Sequence, residues 1–254
     1  MLLDIAGVLY DGDHAIAGAV KAVEHLRAHS VPVRFLTNST RRPKRIILEK
    51  LTAFGFAAEP HEVLTPAEAA CNWLRQEGFA PHLLVHPDLE EDFVGLPASD
   101  NPAVVVGDAG RYFTFDRMNA AFRELMRGAP FLALAENRVF KDADGELSLD
   151  AGAFVRALEY SSGTAPLLLG KPSPAYFLAG ARSMKCDPQN VTMIGDDAES
   201  DTAGALNAGI GHAFLVRTGK YRSGDETRYQ PGPTEVVEDV AEGAGKVLDS
   251  LLSN

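Results

Sequence analysis

The chain has 254 residues, of which 46% are hydrophobic and 23% charged, and its formal net charge is −11. A chain of this length buries a sizeable core without disulfides, and the acidic balance excludes a protein that binds nucleic acid through a broad basic face. Cys71 and Cys186 stand far apart, which predicts plain thiols in a reducing compartment. No apolar run reaches the roughly 18 residues of a membrane span, and no signal-peptide pattern is visible. We therefore expect a cytoplasmic protein that does not enter membranes.

Strand and helix patterns alternate along the chain, which predicts an α/β fold. Apolar runs predict strands at 2–4, 33–37, 82–86, 103–108, 131–135, 167–169, 191–194 and 213–216. Apolar residues at helical spacing, several of them after a capping residue or a proline, predict helices at 18–29, 43–54, 65–77, 116–127, 152–160, 174–185, 201–208 and 239–252. The polar stretch 224–234 contains two prolines and predicts a long surface loop.

The stretch from 78 to 165 differs in character from the sequence on either side of it. It has strand and helix patterns of its own, and the original pattern resumes after Pro166. We interpret it as a second α/β unit that is inserted into the first. Residues 1–77 and 166–254 then form a Rossmann-like core domain around a parallel sheet, and residues 78–165 form the inserted domain.

Polar side chains follow four of the predicted strands of the core domain. They are Asp4, the run Thr37-Asn38-Ser39, the run Gly170-Lys171-Pro172, and the run Gly195-Asp196-Asp197 with Asp201 on the next turn. Taken singly, such segments are more commonly turns or helix caps. The carboxyl ends of parallel strands converge on one crevice where ligands bind. The four segments together therefore favour a binding or catalytic site over four separate turns.

The residue types in this predicted crevice suit the chemistry of phosphoryl transfer. A carboxylate can attack phosphorus and form an aspartyl-phosphate. The negative charge spread over the phosphoryl oxygens is stabilised by a hard cation and a fixed ammonium group. Carboxylate and carbonyl oxygens are the ligands that Mg²⁺ prefers. The sequence therefore predicts a magnesium-dependent site for a small phosphorylated substrate.

The chain resembles the haloacid dehalogenase-like phosphatase superfamily over essentially its full length. The segments that carry the resemblance are 4–11 (DIAGVLYD), 157–160 (ALEY), 170–174 (GKPSP), 193–197 (MIGDD) and 216–222 (VRTGKYR). The position of the insertion is similar to that in the branch with a C2-type α/β cap. Within that branch, the segments are most similar to those of the phospholysine phosphohistidine inorganic pyrophosphate phosphatase group.

The resemblance implies a role for each polar residue of the crevice. Asp4 would be the nucleophile and a Mg²⁺ ligand, with the backbone carbonyl of Ala6 and the Asp196 carboxylate as further ligands. Asp197 and Asp201 would not bind the metal themselves; they would orient Lys171 or metal-bound water through hydrogen bonds. The substrate's phosphate oxygens would be held by Thr37, Asn38, Ser39 and Lys171.

Ala6 departs from the superfamily pattern, in which a second aspartate usually stands at this position. That aspartate protonates the leaving oxygen, and general acid–base help of this kind is worth about 10²–10⁴-fold. Alkyl phosphates, whose alkoxide leaves poorly, should then be poor substrates. We therefore predict a preference for labile phosphoryl donors such as pyrophosphate and P–N bonds.

Two alternatives stay open at this stage. The first is a catalytically impaired protein that binds a phosphorylated ligand, because Ala6 removes the usual acid. The second is a phosphatase for small phosphate monoesters, with a water or a cap residue in place of that acid. A phosphonate-cleaving or dehalogenase activity is disfavoured, because no lysine suited to a Schiff base is evident.

The inserted domain is expected to act as a cap that contacts the substrate. Arg111 and Arg138 each follow an apolar strand and are candidates for binding an anionic substrate. The histidines are scattered and show no ligand spacing typical of zinc. The resemblance also suggests a homodimer formed through the cap.

Overall fold

The computed structural model describes residues 1–141 and 146–253. Its strands are β1 (Leu2–Asp4), β2 (Tyr10–Asp11), β3 (His14–Ala15), β4 (Arg34–Leu36), β5 (Val63–Leu64), β6 (Ala80–Leu84), β7 (Pro102–Val106), β8 (Phe131–Ala133), β9 (Val139–Lys141), β10 (Leu147–Leu149), β11 (Leu167–Leu168), β12 (Thr192–Gly195), β13 (His212–Val216) and β14 (Glu235–Val237). Its helices are α1 (Ala19–Ala28), α2 (Lys44–Ala53), α3 (Pro66–Glu77), α4 (Phe115–Met126), α5 (Ala151–Ser162), α6 (Pro174–Ser183), α7 (Gly204–Asn207) and α8 (Val240–Leu252).

The chain divides into two compact units. The first unit comprises residues 1–37, 47–64 and the chain from Lys171 onward, and the second comprises Asn38–Ile46 and Thr65–Gly170. Helix α3 packs in the second unit, although the sequence interpretation placed it in the core domain. The predicted core domain of 1–77 and 166–254 therefore differs from the observed packing in three places, because residues 38–46, 65–77 and 166–170 pack in the second unit.

The first unit is built on a six-stranded sheet in the order β14-β13-β12-β1-β4-β5. All its pairings are parallel, and the central strand β1 aligns Leu3 with Ile194 on one side and Asp4 with Leu36 on the other. Leu2 and Leu3 are fully buried, as expected for a strand covered on both faces. The parallel-sheet α/β fold predicted from the sequence is confirmed. The edge strands β5 and β14 were not predicted.

Helices of the first unit bury one apolar side against this sheet. Val23 and Leu26 of α1 share a core with Val240 and Ala244 of α8. Asp239 starts α8 as its cap, because its side chain accepts hydrogen bonds from the amides of residues 241 and 242. These contacts hold the strands so that their carboxyl ends form one edge, where the site lies.

The second unit has a four-stranded parallel sheet in the order β11-β8-β7-β6. Helix α3 covers one face through Ala70 and Leu74, in a cluster with Val105 and Leu132. Helices α4 and α5 cover the other face through the buried residues Ala121, Leu125, Val155 and Leu158. Thr65 accepts a hydrogen bond from the Glu68 amide at 3.1 Å, as its capping sequence predicted.

The segment Asn38–Ile46 is attached to the rest of the second unit by ion pairs. Arg42 Nη1 lies 2.7 Å from Asp88 Oδ2, and Lys44 Nζ lies 2.9 Å from Glu68 Oε2. Arg45 pairs with Glu91 at 3.1 Å. The basic run after Thr37 is therefore matched to an acidic run on the short helix Pro87–Phe93.

Two short antiparallel strand pairs lie outside the two parallel sheets. The hairpins β2–β3 and β9–β10 are antiparallel, and neither was predicted from the sequence. Cys71 and Cys186 are both free thiols. Across residues 1–141 and 146–253, no helix has the length and apolar character needed to cross a membrane.

Candidate active site

A buried ion-pair network lies at the carboxyl edge of the six-stranded sheet. Asp4 is the last residue of the central strand β1, and its side chain is almost fully buried. The Nζ of Lys171, which starts the return of the chain to the first unit, pairs with Asp4 Oδ1. The same Nζ lies 2.6 Å from Asp201 Oδ1. One buried ammonium group is thus shared by two buried carboxylates.

Asp196 follows β12 directly and is the third buried carboxylate of this edge. Its Oδ2 accepts a hydrogen bond of 2.7 Å from the Lys220 backbone amide. Its Oδ1 is buried, and no donor among the described residues reaches it. A buried carboxylate oxygen without a partner carries a substantial desolvation penalty. This oxygen is therefore well suited to bind a cation.

Asp201 lies on a π-helical segment, Ala198–Ala203, that leads into α7. Its Oδ2 accepts a hydrogen bond from the Asp197 amide at 3.2 Å. Asp197 starts the segment as its cap, since Oδ1 accepts hydrogen bonds of 3.0 Å from the amides of Glu199 and Ser200. Asp197 Oδ2 also lies 3.5 Å from Lys220 Nζ. Asp197 therefore fixes the backbone that presents Asp201.

The three buried carboxylates lie close enough to share one cation. Asp4, Asp196 and Asp201 each offer one oxygen, and these oxygens lie within 4.8 Å of one another. Burial raises the pKa of Asp196 to about 8, and the charges of Asp4 and Asp201 add to this shift. Burial likewise raises the pKa of Asp201 to about 6, against the opposing charge of Lys171. The cluster thus has more negative charge than its single buried lysine can neutralise.

The charge of Lys171 is maintained by its partners. Burial alone would lower the pKa of Lys171, but the charges of Asp201 and Asp4 outweigh burial and raise the pKa above its ordinary value. Lys171 is therefore a fixed positive charge at neutral pH. It is positioned to neutralise anionic oxygens next to Asp4.

Two glycines allow the surrounding loops to reach Asp196. Gly7 and Gly219 have φ angles of +86° and +65°, and a Cβ on either residue would collide with Asp196 Oδ2. Thr218 Oγ1 donates a hydrogen bond to the Gly7 carbonyl oxygen and so joins the two loops. A third glycine, Gly195, lies against Asp201 in the same way. Side chains at these positions would displace the carboxylates.

The residues expected to hold phosphate lie in different units. Thr37 follows β4, next to Asp4 on the neighbouring strand, and is buried. The Tyr176 hydroxyl fixes this strand end, with its oxygen 3.0 Å from the Thr37 carbonyl and 2.6 Å from the Leu64 carbonyl. Asn38 and Ser39 pack with the second unit. Their predicted contact with phosphate stays a prediction.

The remaining candidates differ in their surroundings. Ala6 is exposed, so its methyl group does not pack in the hydrophobic core. Arg111 and Arg138 are both exposed residues of the second unit. Arg111 lies on the short helix Gly110–Tyr112, whereas Arg138 precedes β9. Their predicted contacts with substrate stay predictions.

Lys220 and Thr218 are two residues of the site for which no role was predicted from the sequence. Both lie just after β13, at the edge where Asp4 and Asp196 lie. The signal was their position directly after an apolar strand, the same signal that identified the other four segments. It was missed because Lys220 reaches Asp196 through its backbone amide, and Thr218 reaches the Gly7 carbonyl, so neither contact follows from the residue types alone.

The parallel sheet and the buried acidic cluster together define an α/β protein whose strand ends form a centre suited to a cation. A family model described as "Haloacid dehalogenase-like hydrolase" matches residues 1–96, and a second, HAD-hydrolase-like model matches residues 168–243. The chain is 41% identical over 252 residues to haloacid dehalogenase-like hydrolase domain-containing protein 2 of Bos taurus, a match that covers 99% of this chain and 96% of that protein. The chain therefore belongs to the haloacid dehalogenase-like hydrolase family.

Two further relatives are named as phosphatases. The chain is 38% identical over 261 residues to phospholysine phosphohistidine inorganic pyrophosphate phosphatase of Xenopus laevis, covering 100% of this chain and 94% of that protein. The crystal structure of a 4-nitrophenylphosphatase from Thermotoga maritima superposes with a TM-score of 0.88 at 27% identity. That match covers 97% of this chain and 96% of the other. The predicted superfamily membership is confirmed.

Proposed function

We propose that this phosphatase of the haloacid dehalogenase-like family is Mg²⁺-dependent and uses Asp4 as its nucleophile. The observation that carries the proposal is the buried network in which Lys171 Nζ joins Asp4 to Asp201, with Asp196 Oδ1 left without a donor. A nucleophilic carboxylate, a fixed ammonium group and an open carboxylate oxygen are the parts that phosphoryl transfer needs.

Asp4 and Asp196, with the backbone carbonyl of Ala6, are the residues that would hold Mg²⁺. The donor set fits Mg²⁺, because these are hard oxygen ligands. A bound cation would also balance the excess negative charge of Asp4, Asp196 and Asp201. When bound, Mg²⁺ supplies positive charge that stabilises the phosphoryl oxygens. Asp201 contributes by orienting Lys171, which it contacts directly.

The residues of the chain account for a two-step reaction. An oxygen of the Asp4 carboxylate forms a bond to phosphorus while the bond to the leaving group breaks, and the leaving group departs with the electron pair. Water then attacks the aspartyl-phosphate, which releases phosphate and restores the Asp4 carboxylate. The protons of that water leave with the phosphate or pass to solvent. Lys171 balances the charge in both steps, and Thr37 is the candidate for holding a phosphoryl oxygen.

We propose that labile phosphoryl donors are the preferred substrates. Ala6 cannot protonate a leaving group, so substrates whose leaving groups need no such help are favoured. Pyrophosphate and phosphoramidates belong to this class. The name of the Xenopus laevis relative, which includes phospholysine, phosphohistidine and pyrophosphate, supports the same class for this chain.

Hydrolysis rates across a substrate panel test the proposal. At saturating Mg²⁺, pyrophosphate, imidodiphosphate and phospholysine should turn over faster than several sugar phosphates. Asp4→Asn should abolish release from every substrate. Faster turnover of the sugar phosphates would exclude the preference for labile donors and favour the phosphate monoester alternative.

A second candidate function is a phospho-ligand-binding protein with little turnover, and Ala6 is the observation that favours it. 4-Nitrophenyl phosphate and pyrophosphate distinguish the two. Mg²⁺-dependent release by the wild type and its loss in Asp4→Asn support the enzyme. Negligible release by both proteins, with ligand affinity retained, supports the binding protein.

We further propose that the second unit is a C2-type cap domain. Its support is an α/β unit inserted between the segments that carry Thr37 and Lys171. Recognition of the substrate by Arg111 and Arg138, and a homodimer formed through this unit, are parts of the same proposal. Sedimentation of the purified protein measures the oligomeric state directly.

A further inference from the structure

A basic concavity lies within the second unit. It has a volume of about 370 Å³, and it is lined by Arg41, His86, Gly110 and Arg111. Two guanidinium groups and an imidazole thus share one depression, and none of the residues that the structure describes lines it with a carboxylate. Phosphate and carboxylate groups are the ligands that arginine forks match best.

Arg41 is held in place rather than free to move. Its Nε lies 2.8 Å from Asp108 Oδ2, and its Nη2 donates to Asp108 Oδ1 at 3.2 Å. The guanidinium also lies over the ring of Phe140, 4.7 Å from its centroid. About a third of the Arg41 side chain remains exposed. An arginine that is already positioned loses less conformational freedom when it binds an anion.

Gly110 keeps the Arg41 head accessible. Its φ is +54°, and a Cβ at this position would lie 3.1 Å from Arg41 Nη2. Any side chain here would be strained and would crowd the guanidinium from the side of the concavity. The glycine is therefore favoured by the turn and by its close approach to the Arg41 guanidinium.

His86 and Arg111 supply further donors. The His86 Nδ1 accepts a hydrogen bond from the Asp88 amide at 3.2 Å, which places the proton of the neutral ring on Nε2. The His86 ring lies edge-on to Tyr112, with centroids 5.3 Å apart. Arg111 Nη2 donates to the Tyr112 hydroxyl at 3.3 Å. In residues 1–141 and 146–253, no carboxylate forms an ion pair with Arg111.

We propose that this concavity is a binding site for the oxyanion group of a small molecule, either a phosphate or a carboxylate. Two carboxylates contact its lining residues, and each already has an arginine partner: Asp108 accepts from the Gly110 amide and pairs with Arg41, and Asp88 lies 3.6 Å from His86 Nδ1 and pairs with Arg42. Arg111 therefore adds positive charge that the concavity does not itself balance. The inference rests on one part of the proposed function, the recognition of substrate by Arg111, and it names the chemical group that Arg111 would bind; the binding itself needs neither Mg²⁺ nor the Asp4 nucleophile.

Inorganic phosphate and acetate, titrated separately into the full-length protein in the presence of EDTA, test the site. The amide resonance of Gly110 and the ring resonances of His86 report binding at this position. We expect both to shift and saturate, and we expect Arg111→Gln to weaken binding at least tenfold. Tighter binding of phosphate identifies a phosphate site, and tighter binding of acetate identifies a carboxylate site.

Arg123→Gln is the matched control, because Arg123 is an exposed arginine of the same unit outside the concavity. It should leave the affinity unchanged. The proposal is overturned if the resonances do not move, or if sodium chloride at equal ionic strength moves them equally. Equal weakening by Arg111→Gln and Arg123→Gln would also overturn it, since that result indicates general charge attraction. Asp4→Asn, which tests the catalytic proposal, should bind both anions here with wild-type affinity.

Discussion

Lys171 Nζ and Asp201 Oδ1 lie 2.6 Å apart, and their side chains are 3% and 1% exposed. The same ammonium group pairs with Asp4, so one cation neutralises two carboxylates in a site with little access to water. Removing one member of a buried ion pair leaves an unbalanced charge, which costs far more than the loss of an exposed pair.

Lys171→Met should therefore destabilise the protein by about 3–5 kcal/mol, because it leaves the buried carboxylates without their internal cation. Urea unfolding with and without Mg²⁺ measures the effect, and Mg²⁺ should recover part of the loss. Lys246→Met is the control, since Lys246 pairs with Glu235 at 2.9 Å on the surface and should change stability little. Equal effects of the two variants would contradict the buried network.

Ala6→Asp should restore general acid help and raise the hydrolysis of alkyl phosphates by about 10²–10⁴-fold. The position tolerates a larger side chain because Ala6 is exposed. Initial rates with a sugar phosphate and with pyrophosphate measure the change, which should be smaller for pyrophosphate. Ala6→Asn, which has the same shape but no acid, should give no gain. A gain with asparagine would show that shape, not proton transfer, limits the reaction.

Mg²⁺ affinity should rise with pH up to about 8. Burial raises the pKa of Asp196 to about 8, so below that pH the metal-free carboxyl holds a proton that the cation must displace. Calorimetry between pH 6 and 9 measures the affinity and the number of protons released. Asp196→Asn should bind Mg²⁺ weakly and show little of this pH dependence. An affinity of the wild type that does not change between pH 6 and 8 would contradict the raised pKa of Asp196, and Mg²⁺ affinity retained in Asp196→Asn would exclude Asp196 as a ligand.

The metal-free protein should lose stability as the pH rises from about 4 to 8. The pKa of Asp196 is raised in the folded protein from its ordinary value of 3.8, so the folded form binds this proton more tightly than the unfolded chain does. That stabilisation is complete below about pH 4, falls as the pH rises between the unfolded and folded pKa values, and is lost above about pH 8. Thermal unfolding in EDTA follows the trend, and saturating Mg²⁺ should reverse it. The quantity to compare is the difference in unfolding temperature between the wild type and Asp196→Asn at each pH. This difference removes the contribution of other titrating groups.

Gly219→Ala should weaken Mg²⁺ binding and lower activity. A Cβ at Gly219 would collide with Asp196 Oδ2, in addition to the strain of about 1–2 kcal/mol that a φ of +65° imposes on alanine. Gly224→Ala is the matched control, because its φ is +99° and no atom lies within 4 Å of an added Cβ. Both variants carry backbone strain, so only Gly219→Ala should change the Mg²⁺ affinity. Equal affinity in the two variants would contradict the close approach.

The buried centre of the sheet was the part of the fold most accessible from sequence. Strand β1 ends in Asp4, and Asp196 directly follows β12. A parallel sheet brings such strand ends together whatever the loops between them do. The edge strand β5 has only two residues, and β14 has three. Both strands are flanked by polar or charged residues, so neither lies in a longer apolar run of the kind that predicted the other strands, and their pairing depends on tertiary contacts.

Packing partners were harder to predict than the elements themselves. The capping sequence predicted helix α3 correctly, but the sequence does not say which of two sheets its apolar side covers. The contacts of Lys220 were missed because its backbone amide, not its side chain, reaches Asp196. Every residue except proline has the same backbone donor and acceptor, so backbone hydrogen bonds cannot be predicted from residue types. A site that depends on them can be predicted from the sequence only in part.

The chain passes between the two units after Thr37, Ile46, Leu64 and Gly170. A chimera that exchanges only residues 65–170 with those of a relative would separate Arg42 and Arg45 from Asp88 and Glu91. The natural module for recombination is therefore discontinuous and includes the short basic segment 38–46. Evolution of specificity in this protein by exchange of the inserted domain would need coordinated change in that segment.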